Sequence, residues 1–274
     1  MAKRFLAAAI GVPMILAVVI FGANLPILFD IAVAIICTIS VGEFSYATQT
    51  IKKFPISIPC LLFAGAYPML VSYGFGLLTG FVFTGIALSV LVFCHKQINY
   101  RDFAYIYCMT IIVTVAMSSI ILMKNRDVAH ASFYFILSLG LPWMADIGAF
   151  FAGSFLGKHK LCPNISPKKT IEGVIGGVVL CILATCLIGW IFADLIYAGT
   201  VHINYLSLGI MALLGSFVSV IGDLVFSVIK RYYQIKDYGF IIPGHGGFLD
   251  RFDSVIFVAP YMLIFMTYFP IMSI

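Results

Sequence analysis

The chain has 274 residues, of which 62% are hydrophobic and only 10% are charged, with a formal net charge of +5 and a mean hydropathy of +1.11. Soluble domains carry about 25% charged residues, and a globule of this length lacks the interior to bury so much apolar surface. The composition therefore excludes a soluble globular domain and indicates that lipid is the solvent for most of the chain.

Nine apolar runs follow one another along the chain, each close to the roughly 20 residues that an α-helix needs to cross a bilayer. They occupy residues 5–22, 25–42, 56–73, 76–94, 103–123, 132–151, 171–197, 205–229 and 254–272. The third and fourth runs are separated only by a short break at Gly74 and Gly76. The pattern predicts an all-α, polytopic integral membrane protein with about nine transmembrane helices.

The basic residues predict the orientation of these spans, because Lys and Arg concentrate in cytoplasmic loops. With a cytoplasmic N-terminus and nine alternating spans, 14 of the 16 Lys and Arg residues lie on the cytoplasmic side, and only Lys124 and Arg126 lie on the other. The net positive charge therefore indicates positive-inside bias. It does not predict a nucleic-acid partner.

One face of the eighth span carries three polar side chains near its cytoplasmic end. Asp223 is followed by Ser227 four residues later and by Lys230 seven residues later, a spacing that puts them on one helical face. A carboxylate at this depth is costly, and it could bind a hard divalent cation while the hydroxyl and ammonium groups contact phosphate. The alternative is an Asp–Lys pair that only stabilises the helix bundle.

The following loop combines basic side chains, glycines and acids. Arg231 and Lys236 come first, the segment Pro-Gly-His-Gly-Gly occupies residues 243–247, and Asp250, Arg251 and Asp253 precede the last span. Glycine-rich backbone lets N–H groups approach an anion closely, and paired carboxylates suit a divalent metal. Together these residues predict a metal and polyphosphate site at the cytoplasmic face of the membrane.

The stretch from Ser227 to Asp253 resembles the signature of the phosphatidate cytidylyltransferase (CDP-diacylglycerol synthase) family. That signature reads S-x-x-K-R-x4-K-D-x-G-x2-[LIF]-P-x-H-G-G-x-x-D-R-x-D, and the chain matches it at every defined position. The stretch from Ser166 to Gly173 is similar to the second cytoplasmic loop of the family, and Asp146 fits the approach to that loop. The resemblance covers residues 143–253; the first 130 or so residues resemble the family only in hydropathy and span count.

The resemblance implies a Mg²⁺-dependent nucleotidyltransferase of phospholipid biosynthesis, which transfers CMP from CTP to phosphatidic acid and releases CDP-diacylglycerol and pyrophosphate. It also allows K⁺ as a second cation at the metal site. It also implies a homodimer in the bacterial inner membrane, with active-site loops on the cytoplasmic side. Residues 1–130 would serve packing and oligomerisation, and residues 131–274 would form the catalytic region with cytoplasmic loops at 153–170 and 230–253.

The same resemblance assigns roles to individual residues. Metal ligands are Asp223 and Asp250, joined by Asp253 and Asp146. The predicted catalytic residues are Asp223, Lys230, Asp250 and His245. The predicted substrate-binding residues are Ser227, Arg231, Lys236, Lys168, Lys169, Ser166, Gly246, Gly247 and Arg251.

Several of these roles have alternatives. Lys168 and Lys169 are also explained by positive-inside bias alone. His245 is either an acid toward the leaving pyrophosphate or a residue that fixes the glycine-rich turn, and we favour the second. Asp253 is either a third metal ligand or the partner of Arg251. Asp146 and Glu172 either help to hold metal or cap a helix end, and Glu43 is expected to be a structural acid at the membrane edge.

Three other functions compete with this interpretation. A CTP-dependent lipid or polyprenol kinase would need similar residues but would transfer the γ-phosphoryl group. A cytidylyltransferase acting on an archaeal-type ether lipid would use identical headgroup chemistry. A transporter would use Asp30, Asp146 and Asp223 as an ion path, but the acids gather at one membrane face and no inverted repeat is evident.

Overall fold

Apolar helices form most of the chain in the computed structural model, which describes residues 2–240 and 246–273. Within these residues the chain has ten α-helices: α1 (Ala2–Gly22), α2 (Ile27–Ala47), α3 (Phe54–Ser72), α4 (Gly76–Phe93), α5 (Tyr100–Met117), α6 (Ser119–Arg126), α7 (Ala131–Leu156), α8 (Ile171–Trp190), α9 (Tyr205–Tyr232) and α10 (Asp253–Tyr268). Four short strands form two antiparallel two-stranded sheets: β1 (Lys160–Cys162) pairs with β2 (Ser166–Thr170), and β3 (His202–Ile203) pairs with β4 (Met272–Ser273). A π-helical segment (Ile191–Ile196) extends α8.

The helices confirm the all-α, polytopic membrane class. Seven helical segments of the described chain are long and apolar enough to cross a membrane, with α5 and α6 counted together as Tyr100–Arg126. Two shorter apolar helices, Pro13–Gly22 and Asp253–Tyr268, coincide with the first and last predicted spans. The helix positions follow the predicted spans closely, while the count of nine crossings stays a prediction.

The chain divides into two compact units. The first unit contains the described residues of Met1–Ser132 and Tyr233–Phe252, and the second contains those of Phe133–Tyr232 and Asp253–Ile274. The first change of unit lies two residues beyond the predicted boundary after residue 130. Residues 233–240 and 246–252, which the sequence analysis grouped with the catalytic region, belong to the same unit as the N-terminal helices.

In the first unit, α2 and α3 pack against each other and both pack against α5. At one end of this bundle, the buried Lys124 of α6 forms an ion pair with the buried Asp30 of α2, and its Nζ lies 3.1 Å from Ser72 Oγ at the end of α3. At the other end, Lys53 before α3 pairs with Asp102 of α5. These contacts place the start of α2 beside the ends of α3 and α6, as alternating spans require.

In the second unit, α7 and α8 approach closely through small residues. A Cβ on Gly148 of α7 would lie 2.7 Å from the carbonyl oxygen of Gly176 in α8, and a Cβ on Gly177 would lie 2.6 Å from that of Ala145. Such contacts are typical of membrane helices, whose association depends on backbone proximity. Helix α9 then packs between α8 and α10.

The predicted loop 153–170 contains regular secondary structure. Helix α7 continues to Leu156, and the strands β1 and β2 then form an antiparallel hairpin. The Ile165 N–H donates to the Cys162 carbonyl at 3.2 Å, closing a turn with Pro163 and Asn164 at its centre. Proline pre-sets the backbone of such a turn and asparagine tolerates its second position, which explains why this polar segment reverses direction.

Candidate active site

Asp223 and Ser227 lie on one face of α9, as their spacing predicts. The Ser227 hydroxyl donates to Asp223 Oδ1 at 3.1 Å. The residue before Asp223 is a glycine, and a Cβ at Gly222 would lie 3.2 Å from the Asp253 carbonyl oxygen and 2.9 Å from the Phe257 ring. The missing side chain therefore allows the start of α10 to pack directly beside the acidic turn of α9.

Lys230 continues the same face of α9 and is directed toward Asp253, the first residue of α10. Lys230 Nζ lies 3.9 Å from Asp253 Oδ2, and both side chains are about one-tenth exposed or less. Asp253 also interacts electrostatically with Asp223 and with Asp146 of α7. Asp253 therefore lies near two other acids and one lysine, and a bound cation would reduce the repulsion between the acids.

A second lysine reaches this cluster from the β1–β2 hairpin. Lys169 Nζ lies 2.5 Å from Asp223 Oδ2, and both side chains are largely buried. The next residue, Thr170, caps α8 by accepting the Gly173 N–H at 3.1 Å. A Cβ on Gly153 of α7 would lie only 3.0 Å from the Thr170 Oγ1, so the glycine allows this close approach. The cap thus fixes the end of the hairpin and, with it, the place of Lys169.

The rest of the hairpin is held by contacts at its edges. Glu172 accepts the N–H groups of Lys158 and His159 at 3.1 and 3.2 Å, and its Oε1 lies 2.6 Å from His159 Nδ1. Arg231 donates from Nε to the Ile165 carbonyl at 3.3 Å. Glu172 therefore holds the start of the hairpin by hydrogen bonds, and its metal role stays a prediction. Arg231 contacts the hairpin backbone. Lys168 is exposed and Ser166 is half-buried at the start of β2.

Asp250 lies in the first unit, in a short 3₁₀ turn (Leu249–Arg251). Its Oδ2 accepts the N–H of Tyr238 at 2.9 Å and the N–H of Gly247 at 3.0 Å. The sequence analysis expected the Gly247 backbone to approach a phosphate, but in the structure its N–H binds this carboxylate. Gly247 is therefore used here as a hydrogen-bond donor to Asp250.

The other residues of this loop have different environments. Gly246 has a φ of +86°, a conformation that favours glycine, and a Cβ there would lie 3.1 Å from Asp237 Oδ1. Lys236 and Arg251 are exposed. His245 lies outside the described residues, so both of its proposed roles stay predictions.

Glu43 of α2 also contacts this loop, which the sequence analysis did not anticipate. The side chain is 4% exposed, and its Oε2 accepts the Leu249 N–H at 2.7 Å. A Cβ on Gly247 would lie 2.7 Å from Glu43 Oε2. The contact joins residues 206 positions apart, so no local spacing could reveal it. The sequence offered only an acidic residue at the end of an apolar run.

The acids provide the ligand type that Mg²⁺ requires. Within residues 2–240 and 246–273, no three His, Cys, Asp or Glu side chains are arranged to hold one ion together. Asp223 and Asp253 nevertheless present carboxylate oxygens to one region of the second unit, and Mg²⁺ is typically bound by one or two carboxylates plus water and substrate phosphates. The donor set fits this cation.

The sequence pattern of the Cytidylyltransferase family matches residues 2–269 of the chain. This protein belongs to the cytidylyltransferase family. The match extends over both units and includes the N-terminal helices, which the sequence analysis linked to the family only by hydropathy. The family assignment therefore covers Glu43 as well as the motif residues of α9 and the loop that follows it.

Individual members of the cytidylyltransferase family are similar over the larger part of the chain. Three bacterial proteins named phosphatidate cytidylyltransferase are 36% (Staphylococcus epidermidis), 38% (Staphylococcus saprophyticus) and 34% (Bacillus subtilis) identical over 180, 177 and 182 residues. The aligned stretch covers 65%, 65% and 66% of this chain and 66%, 64% and 65% of theirs. It thus spans slightly less than two thirds of the length of these relatives.

Proposed function

We propose that the protein is a phosphatidate cytidylyltransferase, which transfers CMP from CTP to phosphatidic acid. A phosphate oxygen of phosphatidic acid forms a bond to the α-phosphorus of CTP, the bond from that phosphorus to the bridging oxygen breaks, and pyrophosphate leaves. Support comes from the family membership, from the relatives that carry this name and from the match to the signature between Ser227 and Asp253.

One observation carries the proposal: Asp223 of α9 is contacted by Lys169 of β2 and by a hydroxyl on its own helix. On the same face of α9, Lys230 is directed toward Asp253 of α10. Transfer at phosphorus needs positioning and charge neutralisation more than a covalent nucleophile. Acids on α9 and at the start of α10, with one lysine from β2 and one from α9, supply both. No protein nucleophile is required, because the lipid phosphate itself attacks.

Mg²⁺ would be held by Asp223 and Asp253, with Asp146 nearby, and Asp250 stays a predicted further ligand from the family resemblance. A bound Mg²⁺ supplies charge stabilisation for the phosphate oxygens during transfer. Lys230 and Lys169 would then bind phosphate oxygens that arrive with CTP. We also retain K⁺ as a candidate second cation.

The cellular setting is proposed from the charge distribution and the resemblance. We propose that the N-terminus and the β1–β2 hairpin face the cytoplasm of a bacterial cell, where CTP is available, and that the membrane is the inner one. The lipid substrate stays in the bilayer, and its phosphate lies at the boundary where α9 ends. A homodimer is proposed from the resemblance alone.

The test uses purified protein in detergent with phosphatidic acid, Mg²⁺ and CTP labelled separately at the α- and γ-phosphorus. We expect α-label in the lipid, release of pyrophosphate, and a loss of about 100-fold or more in Asp223→Asn, the scale for removing one electrostatic group from such a site. Asp194→Asn is the matched control, because Asp194 is an exposed acid of the same unit in the π-helical segment.

Other outcomes separate the competing functions. Transfer of γ-label to the lipid would identify a kinase. Transfer of α-label to an ether lipid but not to diacyl phosphatidic acid would identify a different acceptor. No transfer of either label by folded protein would refute the cytidylyltransferase proposal.

A further inference from the structure

Glu43 is an unusual residue for its position in α2. It lies in the last two turns of an apolar helix, and its side chain is 4% exposed. A buried carboxylate is costly unless its oxygens are paired or hydrogen-bonded, so an acid at this position needs compensating contacts. The contacts it makes are with the polypeptide that surrounds Asp250.

The first contact is a hydrogen bond to the turn that carries Asp250. Glu43 Oε2 accepts the N–H of Leu249 at 2.7 Å, and the Leu249 side chain is fully buried. Leu249 begins the 3₁₀ turn Leu249–Arg251, and N–H groups at the start of a helical turn have no partner within it. The carboxylate therefore satisfies a buried donor one residue before Asp250.

The second contact is steric and involves two glycines. The Glu43 carboxyl group occupies the place that a Cβ on Gly239 would take, and a Cβ on Gly247 would lie 2.7 Å from both Glu43 Oε2 and Asp250 Oδ2. Both carboxylates therefore lie against Gly247. Asp250 also accepts a hydrogen bond from the Gly247 N–H. The positions of the Glu43 and Asp250 carboxylates therefore both depend on the backbone at Gly247.

We propose that Glu43 is a positioning residue that holds the backbone of residues 247–249 and thereby sets the place of the Asp250 carboxylate. The proposal deepens the proposed function, because the importance of Asp250 rests on the cytidylyltransferase reaction. Glu43 acts through the loop and is not assigned a contact with CTP, lipid or metal. An acid of the N-terminal helices thus takes part in shaping the motif that carries the chemistry.

The chemistry of the side chain makes the proposal testable by graded substitution. A carboxylate only accepts hydrogen bonds, whereas glutamine has one accepting oxygen and an NH₂ group. Glu43→Gln keeps an acceptor for the Leu249 N–H but adds donors beside the loop backbone. Glu43→Leu keeps a side chain of similar length, suits an apolar helix, and removes the acceptor altogether.

The experiment compares these variants by hydrogen–deuterium exchange and by kinetics, with Asp30→Asn as the control. Asp30 is a buried acid at the opposite end of the same helix, paired with Lys124. In metal-free protein we expect the backbone amides of residues 246–252 to exchange about tenfold faster in Glu43→Leu than in wild type. The loss of one hydrogen bond makes local opening of the segment easier by about this factor. Glu43→Gln should lie between Glu43→Leu and wild type.

In the transferase assay we expect kcat to fall by about 10- to 100-fold in Glu43→Leu, since small misplacements of a reacting group cost rates of this order. KM for CTP should stay near the wild-type value, and Glu43→Gln should recover part of kcat. Asp30→Asn should lower the melting temperature without changing kcat or the exchange of residues 246–252.

The outcomes separate this inference from the proposed function. A folded Glu43→Leu variant with wild-type exchange in residues 246–252 and wild-type kcat would overturn the positioning role. If Glu43→Leu does not fold, the same comparison is made with Glu43→Gln, and wild-type exchange and kcat there would overturn it. If the wild-type protein transfers no CMP, the proposed function fails, and the exchange experiment still decides whether Glu43 holds the loop.

Discussion

Lys169 and Asp223 form an ion pair, with 2.5 Å between Lys169 Nζ and Asp223 Oδ2. The lysine comes from the β1–β2 hairpin and the acid from the last third of α9, so the pair connects a polar loop to a membrane helix. The same carboxylate is our proposed Mg²⁺ ligand. A divalent cation and the lysine would therefore compete for it, and the lysine would be released toward phosphate when metal is bound.

This competition predicts a change in metal response. In Lys169→Met, the largely buried Asp223 carboxylate loses its cationic partner, so we expect a lower melting temperature in EDTA. Added Mg²⁺ should raise the melting temperature of this variant more than that of wild type, because the metal restores the missing positive charge. Differential scanning fluorimetry in detergent with an EDTA-to-Mg²⁺ titration measures both effects.

The matched control for this experiment is Lys168→Met, which changes an exposed neighbour in the same strand. It should respond to Mg²⁺ as wild type does. Asp223→Asn should lose the Mg²⁺ response. An equal Mg²⁺ shift in wild type, Lys169→Met and Asp223→Asn would show that the metal does not bind at Asp223.

The membrane helices were predictable because their signal is local. A run of apolar residues of sufficient length specifies a spanning helix without reference to the rest of the chain, and the helices accordingly coincide with the predicted spans. The β1–β2 hairpin was missed because a basic loop between two spans has no hydrophobic periodicity. The only local indication of the hairpin is the Pro163–Asn164 pair, which favours a turn.

The site was predictable only where its residues are close in sequence. Asp223 and Ser227 meet because a helix brings residues four apart together, and that contact is observed. The pair Lys169–Asp223 and the bond from Leu249 to Glu43 join distant segments, so they depend on tertiary packing. Gly247 shows how far residue type can predict a contact. A glycine at this position indicates that another group approaches the backbone closely, but the group that does so is a carboxylate of the protein.

The orientation of the helices is open to direct measurement. In a cysteine-free background, Lys160→Cys on β1 should react with a membrane-impermeant maleimide in inverted vesicles and not in intact spheroplasts. Arg126→Cys at the end of α6 should show the reverse pattern. Both positions are exposed in the structure, so burial does not explain a difference in labelling. The opposite pattern at both positions would reverse the proposed topology and place the hairpin outside the cytoplasm.

The buried pair Lys124–Asp30 should be more important for stability than the pair Lys53–Asp102. Side chains of the first pair are 6% and 3% exposed, whereas those of the second are 26% and 29% exposed. Asp30→Asn leaves a buried lysine without its counter-ion, which costs about 3–5 kcal/mol. Asp102→Asn should cost about 1 kcal/mol or less. Thermal unfolding in detergent compares the two.

A double variant separates charge imbalance from loss of packing at the buried pair. Asp30→Asn combined with Lys124→Met removes both charges, and we expect it to recover most of the stability lost in Asp30→Asn alone. A double variant no more stable than Asp30→Asn would mean that packing around these side chains, not the unpaired lysine, determines the loss.

The close contact between α7 and α8 predicts a strong effect of one added methyl group. A Cβ on Gly148 would lie 2.7 Å from the Gly176 carbonyl oxygen and 2.8 Å from the Leu180 Cβ. Gly148→Ala should therefore destabilise the protein by about 1–3 kcal/mol, the usual cost of overpacking. Gly85→Ala in α4 is the matched control, because a Cβ there meets no atom within 4 Å and alanine favours a helix by roughly 1 kcal/mol over glycine.

Because α7 also carries Asp146, Gly148→Ala should lower the transferase activity together with the melting temperature, whereas Gly85→Ala should lower neither. Equal melting temperatures for the two variants would show that α7 and α8 can separate without cost, contrary to the packing described for the second unit.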